Sequence, residues 1–151
     1  MNTESLLLMG LCTSLLLTAC AQNRPRSFGI SEGRLPPCPG SPNCVSSQST
    51  DEKHWVEPLR YGCSTADAMR RLKKIINSMS GSNIVREEDR YLQAEFRSAL
   101  FRFIDDVEFY LDADNDIIHV RSASRVGYWD LGVNRRRVEA IRSKLSKLNS
   151  S

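Results

Sequence analysis

The fold is decided by residues 101–123, which read FRFIDDVEFYLDADNDIIHVRSA. Apolar residues alternate with polar ones along residues 101–111, and a second apolar run occupies residues 117–123. The polar stretch at residues 112–116, DADND, separates the two runs and has the composition of a turn. Alternation with a period of two on both sides of a short polar turn predicts two antiparallel strands joined as a β-hairpin.

Outward from this hairpin, the sequence predicts three further strands and two helices. Residues 54–61, 83–87 and 91–98 have strand character. An amphipathic helix of roughly four turns begins near Ser64 with a capping-box pattern, and a second helix begins near Asn134, which is its predicted capping residue. The order β-α-β-β-β-β-α predicts an α+β fold, in which an antiparallel sheet of about five strands carries two helices packed on one face.

Size and composition limit the class of protein. The chain has 151 residues, of which 40% are hydrophobic and 26% are charged, and this balance is typical of one globular domain rather than of a disordered chain. The formal net charge of +3 and the lack of a recognition motif in the sequence argue against nucleic acid as a partner. We expect the domain to bind no cofactor.

The N-terminus has the pattern of an export signal. Residues 6–17 are apolar, but a membrane-spanning helix needs about 20 such residues, so we expect a signal peptide instead. The sequence Leu17-Thr18-Ala19-Cys20 that follows resembles the lipobox of bacterial lipoproteins. The resemblance implies cleavage before Cys20, a diacylglyceryl group on its thiol, and acylation of the new amine, with palmitate as the expected kind of acyl chain.

This signal predicts how the chain is organised. Residues 1–19 form the signal peptide, residues 20–36 form the lipidated cysteine and a flexible tether, and residues 37–149 form a single α+β domain. The protein is then a membrane-anchored lipoprotein of the bacterial cell envelope that faces the periplasm. Ala21 favours the outer membrane where enteric-type sorting applies. The alternative is a plain secreted protein in which Cys20 occurs by chance.

Apart from the lipidated Cys20, the exported part of the chain contains three cysteines, Cys38, Cys44 and Cys63, which is an odd number. Cys38 and Cys44 flank a loop with two Pro and one Gly, and in an oxidising compartment this pattern favours a disulfide between them. A disulfide from either of them to Cys63 is the alternative. We expect no metal site, because only His54 and His119 could supplement the cysteines as ligands.

Two acidic residues break the local pattern of their strand. Alternation from Phe101 places Asp105 on the apolar face, where a carboxylate requires a cationic partner. Arg121 and Arg125, in or just after the following strand, are the expected candidates. We therefore predict that Asp105 and Asp106 take part in structural ion pairs.

A second concentration of polar groups surrounds the start of the last helix. Arg135, Arg136 and Arg137 follow Asn134 directly, at the positive end of a helix dipole. The preceding loop, residues 122–132, is rich in small and polar residues and carries two aromatic ones. The alternative, favoured over an external anion because one helix turn cannot direct all three arginines to one ligand, is that they pair with Asp105, Asp106 or Asp130 inside the fold. The predicted anion-binding residues are Arg121, Ser124, Arg125, Asn134, Arg135 and Arg136.

Three segments carry a resemblance to a known family. They are residues 38–47 (CPGSPNCVSS), residues 103–109 (FIDDVEF) and residues 121–135, which include RSASRVG and DLGVNR. In this order they resemble the signatures of domain-of-unknown-function family 1499, a group of bacterial proteins of which many are exported or membrane-attached. The resemblance spans essentially the whole predicted domain and implies a fold without implying an activity.

Three functions are compatible with these patterns. The first is a non-catalytic binding or accessory domain for an anionic small molecule or an envelope protein. The second is an envelope enzyme of hydrolase type, in which Asp105, Asp106 and His119 supply the acid and base. The third is a structural or assembly factor of the envelope. The sequence contains no nucleophile-elbow, phosphate-loop or metal-binding motif, which favours the first function over the second.

Overall fold

The structure is a computed structural model that describes residues 28–149. Within these residues it has an α+β fold, as predicted, and none of its helices is long and apolar enough to cross a membrane. Its six strands and two helices are, in chain order, β1 (Cys44–Ser46), β2 (Leu59–Arg60), α1 (Thr65–Asn77), β3 (Ser82–Glu88), β4 (Tyr91–Arg97), β5 (Ile104–Asp112), β6 (Ile117–Ser124) and α2 (Val133–Asn149).

The six strands form one antiparallel sheet. Its order is β1-β6-β5-β4-β3, and β2 also pairs with β6. β5 and β6 form the predicted hairpin, in which Asp112 pairs with Ile117 across the polar turn. The sheet has one strand more than expected, because β1 adds a short strand at its edge. The predicted strand at residues 54–61 is reduced to β2, which follows Pro58, a residue that cannot donate to a strand ladder.

The hydrophobic core lies between the two helices and one face of the sheet. Ser64 caps α1 as predicted, since its side chain accepts a hydrogen bond from the backbone N–H of Asp67 at 3.1 Å. The apolar stripe of α1 is then directed towards the sheet. Residues with no exposed surface in this core include Leu72, Ile76, Leu92, Val107, Phe109, Leu111, Ile118, Val120, Val138 and Ile141.

The start of α2 differs from the prediction in its capping residue. α2 begins at Val133, and Asn134 is a fully buried residue inside its first turn. The side chain of Asp130 accepts hydrogen bonds from the backbone N–H groups of Gly132 at 2.9 Å and Asn134 at 2.8 Å. Asp130 therefore caps the helix, and the amide of Asn134 is available for other contacts.

The start of β5 also differs from the prediction. Alternation from Phe101 assigned Phe101 and Phe103 to the core, but β5 begins at Ile104, and these two phenylalanines are 68% and 53% exposed. Arg102 between them has a φ of 55°, so the backbone turns there instead of continuing as a strand. The apolar pattern thus runs past the end of the strand into a loop.

The face of the sheet without helices is covered in part by residues 28–36. These residues fall within the predicted tether, yet they are bound to the domain. The backbone N–H of Gly29 donates to Glu108 at 3.0 Å, that of Leu35 donates to Gln48 at 2.8 Å, and the Leu35 side chain is buried. In the structure the folded unit therefore begins before residue 37, because these contacts attach the segment to the sheet.

Candidate functional site

The helix-free face of the sheet contains a set of charged residues that we call the buried charge cluster. Glu108 is fully buried at its centre, and its carboxylate accepts hydrogen bonds from Arg121 at 3.1 Å and from the Tyr91 hydroxyl at 2.8 Å. Burial, together with the bond to Glu108, raises the pKa of Tyr91, so the tyrosine stays a neutral donor. The members of the cluster are Glu95, Asp106, Glu108, Arg121 and Arg125.

Arg125 joins the other two carboxylates of this cluster. Its guanidinium donates to both oxygens of the fully buried Asp106, at 2.9 and 2.7 Å, and also to Glu95. The hydrogen bond to Asp106 is the main reason that the pKa of Arg125 is raised. With three carboxylates and two guanidinium groups, the cluster carries no excess positive charge. Arg121 and Arg125 were predicted to bind an anion, and both are instead bound to carboxylates of the sheet.

Asp105 lies on the opposite face of the same strand, as expected for an adjacent residue. It pairs with Arg137 at 2.5 Å, as the alternative interpretation of the helix arginines predicted, and not with Arg121 or Arg125. Those two arginines lie on the helix-free face, whereas Arg137 extends from α2 and covers the ring of Phe96 at 4.7 Å. Strand geometry therefore separates the partners of Asp105 from those of its neighbour in sequence.

The amide of Asn134 connects α2 to the sheet. Its Nδ2 donates to the backbone oxygen of Asn43 at 3.1 Å and to the Ser124 hydroxyl at 3.0 Å. Its Oδ1 accepts from Ser122 at 2.6 Å and from Arg137 at 2.7 Å. Asn134 and Ser124, both predicted to bind a ligand, are thus bound to each other and to neighbouring elements of the fold.

The last two predicted ligand-binding residues extend in different directions from α2. Arg135 donates to the backbone oxygens of Trp55 at 2.9 Å and Lys53 at 3.0 Å, beside the loop between β1 and β2. Arg136 donates to the backbone oxygen of Leu131 at 2.8 Å. The structure therefore does not bring the six predicted residues to one point, and of the six only Arg136 lines the cleft at the start of α2.

His119, predicted to act with Asp105 and Asp106, is in a different part of the sheet. It pairs across the strands with Tyr110, and its imidazole lies 3.3 Å from the Ser47 hydroxyl and 3.7 Å from Asp112. Burial lowers the pKa of His119, although Asp112 opposes the shift. Asp105 and Asp106 each bind an arginine, so the three residues do not form an acid–base group.

A cleft of about 640 Å³ opens between the end of α1, the end of β4 and the start of α2. We call it the basic cleft, and its arginines are Arg97, Arg102, Arg136 and Arg137. Asp105 is its acidic residue and is neutralised by Arg137. Among residues 28–149, no carboxylate forms an ion pair with Arg97, Arg102 or Arg136.

Gly81 fixes the position of Arg97 in this cleft. It has a φ of 76°, and a Cβ added there would lie 2.3 Å from the backbone oxygen of Arg97. The backbone N–H of Arg97 donates to the oxygen of Gly81 at 2.8 Å. Only glycine allows this approach, which fixes the backbone of Arg97 where this residue lines the cleft together with the start of α2.

Beside the basic cleft, apolar side chains are exposed on two loops. The loops are residues 98–103 and 125–132, and they are joined where the N–H of Arg125 donates to the oxygen of Ile104 at 3.0 Å. In the described part of the chain, seven of the eleven exposed large hydrophobic residues lie in these loops, so the exposure is concentrated at one end of the sheet. We call them the apolar rim: Leu100, Phe101, Phe103, Val126, Tyr128, Trp129 and Leu131.

The predicted disulfide between Cys38 and Cys44 is present, with an S–S distance of 2.06 Å. It closes a loop that ends at β1, next to Asn43. The side chain of Asn43 donates to the backbone oxygen of Gly127 at 2.6 Å, so the disulfide supports the base of a rim loop. Cys63 is a free thiol, partly buried against the core.

Three charged residues of these sites were missed by the sequence reasoning. Glu108 alternates with the apolar residues of β5 and was not singled out, because nothing in the pattern showed that residues 28–36 cover it. Arg97 and Arg102 were missed because they are far in sequence from the arginines of α2. The available signal was their position in the sequence, since Arg97 directly precedes the 98–103 loop and Arg102 lies within it.

Comparison with known proteins supports the family resemblance. A family model described as "Protein of unknown function (DUF1499)" matches residues 34–145, which is well over half of the chain. The chain belongs to this family. No curated protein matches the chain.

Proposed function

We propose that this protein is a lipid-anchored protein of the bacterial cell envelope whose domain binds an anionic ligand in the basic cleft without catalysing a reaction. One observation carries the proposal. Three arginines, Arg97, Arg102 and Arg136, line one cleft with no carboxylate partner among the described residues. Arginines in such an arrangement attract phosphate or carboxylate groups, which accept two parallel hydrogen bonds from a guanidinium.

The other arginines near this end of the domain support the proposal by contrast. Arg121, Arg125 and Arg137 are held by Glu108, Asp106 and Asp105, respectively. A ligand would have to displace a buried carboxylate to reach any of them, at a high energetic cost. The cleft arginines require no such displacement, so an anion is expected there.

The attachment to the envelope rests on the N-terminal sequence. Residues 6–20 have the apolar run and the Cys20 motif of a lipoprotein signal. The disulfide between Cys38 and Cys44 agrees with export, because such bonds persist in oxidising compartments. Lipidation at Cys20 would hold the domain at the periplasmic side of a membrane.

Anion binding is tested by titration with inorganic phosphate at low ionic strength. The chain from Ala21 to Ser151 contains all elements that the structure describes and is the sample for this experiment. The variant R97Q/R102Q/R136Q should lose binding. The control R60Q/R90Q/K144Q removes the same charge at the opposite end of the domain and should keep it. Equal binding by both variants, or no binding by the unmodified chain, would contradict the proposal.

Lipid attachment is tested in cells with labelled palmitate. The full chain should incorporate the label and remain with the membrane fraction, and the Cys20→Ser variant should lose both properties. A Cys12→Ser variant serves as the matched control, because Cys12 lies within the predicted signal peptide. Label that survives in Cys20→Ser, or that is absent from the full chain, would contradict lipidation at this residue.

A further inference from the structure

We propose that the apolar rim and the basic cleft together form a membrane-docking surface, which inserts between the headgroups of an anionic bilayer. The inference rests on the proposed function, since it assigns the anion of the basic cleft to lipid headgroups. It goes beyond that function by giving a role to the apolar rim, which a soluble anion would leave exposed.

The shape and composition of the rim favour a bilayer. Its side chains sit on two loops at one end of the sheet, and the most exposed include Leu100 at 79%, Tyr128 at 73% and Trp129 at 68%. Contiguous exposed apolar residues on a domain of this size mark an interaction surface. Tyrosine and tryptophan favour the headgroup region of a membrane, where an apolar ring and a polar tip are both accommodated.

The backbone of the two loops holds these side chains outward. Arg102 has a φ of 55° and Leu131 a φ of 54°, so the chain reverses sharply at both positions. The rings of Phe101 and Phe103 stack on each other, with centroids 5.6 Å apart. Both rings are more than half exposed, so neither is buried in the core and both are accessible to a bilayer.

The charges beside the rim fit an anionic surface. Arg102 lies within one rim loop, while Arg97 precedes it and Arg136 follows the other. Cationic residues next to inserted apolar ones are the usual composition of surfaces that bind anionic lipids. Such attraction weakens as salt increases, because it acts within a Debye length of the membrane.

The position of the chain's N-terminal segment agrees with this orientation. Cys20 precedes Phe28 by eight residues, which span at most about 28 Å when extended. Gly29 is bound to Glu108 in the middle of β5, and five residues of strand, about 17 Å, separate Glu108 from Phe103 in the rim. A lipid on Cys20 can therefore lie in the same bilayer as the rim, which favours the membrane over a distant partner.

The two tryptophans of the chain make a direct test possible. In Trp55→Phe, Trp129 of the rim is the sole tryptophan, and in Trp129→Phe the sole one is Trp55, which is 47% exposed and lies outside the rim. The unlipidated chain 21–151 is mixed with vesicles of phosphatidylglycerol and phosphatidylcholine, or of phosphatidylcholine alone. Trp129 emission should shift to the blue and be quenched by brominated acyl chains only with anionic vesicles, whereas Trp55 emission should not change.

Variants separate this inference from the proposed function. In the Trp55→Phe background, F101S/L131S should reduce vesicle partitioning at least tenfold and leave phosphate binding unchanged. R97Q/R102Q/R136Q should lose both, and R60Q/R90Q/K144Q should keep both. If phosphate binds but Trp129 emission is unaffected by anionic vesicles, the docking inference is wrong and the proposed function stands. If phosphate does not bind, the proposed function is wrong as well.

Two further outcomes would contradict the inference that an anionic bilayer binds this surface. A Trp129 shift of equal size with neutral vesicles would show that the arginines of the basic cleft do not contribute to docking. A shift that appears without vesicles as the protein concentration is raised would show that a second copy of the chain covers the rim.

Discussion

Two groups of arginines lie near each other in this domain and differ in their partners. In the buried charge cluster, Arg121 and Arg125 bind carboxylates that are fully buried. In the basic cleft, Arg97 and Arg102 are exposed and bind no carboxylate among the residues that the structure describes. Arginine therefore occurs in two environments in this domain, which differ in whether a carboxylate lies beside the guanidinium.

This difference has an energetic meaning. A buried ion pair contributes little beyond the cost of desolvating its members, but removing one member leaves an uncompensated charge, which strongly destabilises the fold. An exposed arginine can be removed at little cost, so the fold does not need it. Residues of the first kind are expected to govern stability, and residues of the second kind to govern binding.

The largest expected effect comes from breaking the buried cluster. Glu108→Gln removes the carboxylate that neutralises Arg121, and we expect a loss of about 3–5 kcal/mol in the free energy of unfolding, measured by urea denaturation. Glu139→Gln is the matched control, because Glu139 forms an exposed pair with Arg142 and should cost about 0–1 kcal/mol. A loss below about 1 kcal/mol in Glu108→Gln would show that the cluster does not stabilise the fold.

Removal of the disulfide should have an intermediate effect on the free energy of unfolding and should leave phosphate binding in the basic cleft intact. Closing a seven-residue loop stabilises by about 2.4 kcal/mol in the chain-entropy model, so C38S/C44S should lose about that much free energy of unfolding. Phosphate binding should persist in this variant, because neither cysteine lines the basic cleft. Loss of phosphate binding by the folded variant would mean that the cleft depends on the disulfide.

A smaller effect is expected from His119, which lies on the same sheet face as the buried cluster. Its pKa is lowered mainly by burial, and nearby Arg34 acts in the same direction. Below the ordinary histidine pKa of about 6.5 the unfolded chain therefore binds the proton more readily than the folded one, so stability falls as the pH decreases. His119→Gln should lose less stability between about pH 7.5 and about pH 5.5 than the unmodified chain. Identical pH profiles in urea denaturation would contradict this account.

The smallest expected effect on stability is that of the basic cleft. R97Q/R102Q/R136Q should change the free energy of unfolding by no more than about 0.5 kcal/mol, since these exposed side chains have no carboxylate to lose. The same denaturation series as for Glu108→Gln measures it. Destabilisation comparable to that of Glu108→Gln would place these arginines in the framework of the fold and remove the distinction between the regions.

Much of the fold was predictable because its signals are local. The polar turn at residues 112–116 between two alternating runs predicted the β5–β6 hairpin, and the cap at Ser64 predicted the start of α1. The spacing of Cys38 and Cys44 predicted their disulfide. Each of these features depends on residues that are close in sequence, where turn chemistry and periodicity decide the outcome.

The candidate site was less predictable because it depends on contacts between distant segments. Alternation assigned Glu108 to a face of β5, but only the fold shows that Gly29 covers that face. The apolar pattern that included Phe101 and Phe103 did not reveal where the strand ends, since period two continues across the turn at Arg102. Long-range pairing, rather than local propensity, decides which charges are neutralised.

The distinction between the two arginine groups is tested most directly by observing their side chains separately. Nuclear magnetic resonance of the arginine Nε–Hε groups, during titration of chain 21–151 with inorganic phosphate, reports each guanidinium in one experiment. We predict that the signals of Arg97, Arg102 and Arg136 shift together and saturate, whereas those of Arg121 and Arg125 stay in place. Shifts at Arg121 and Arg125 without shifts in the basic cleft would contradict the account.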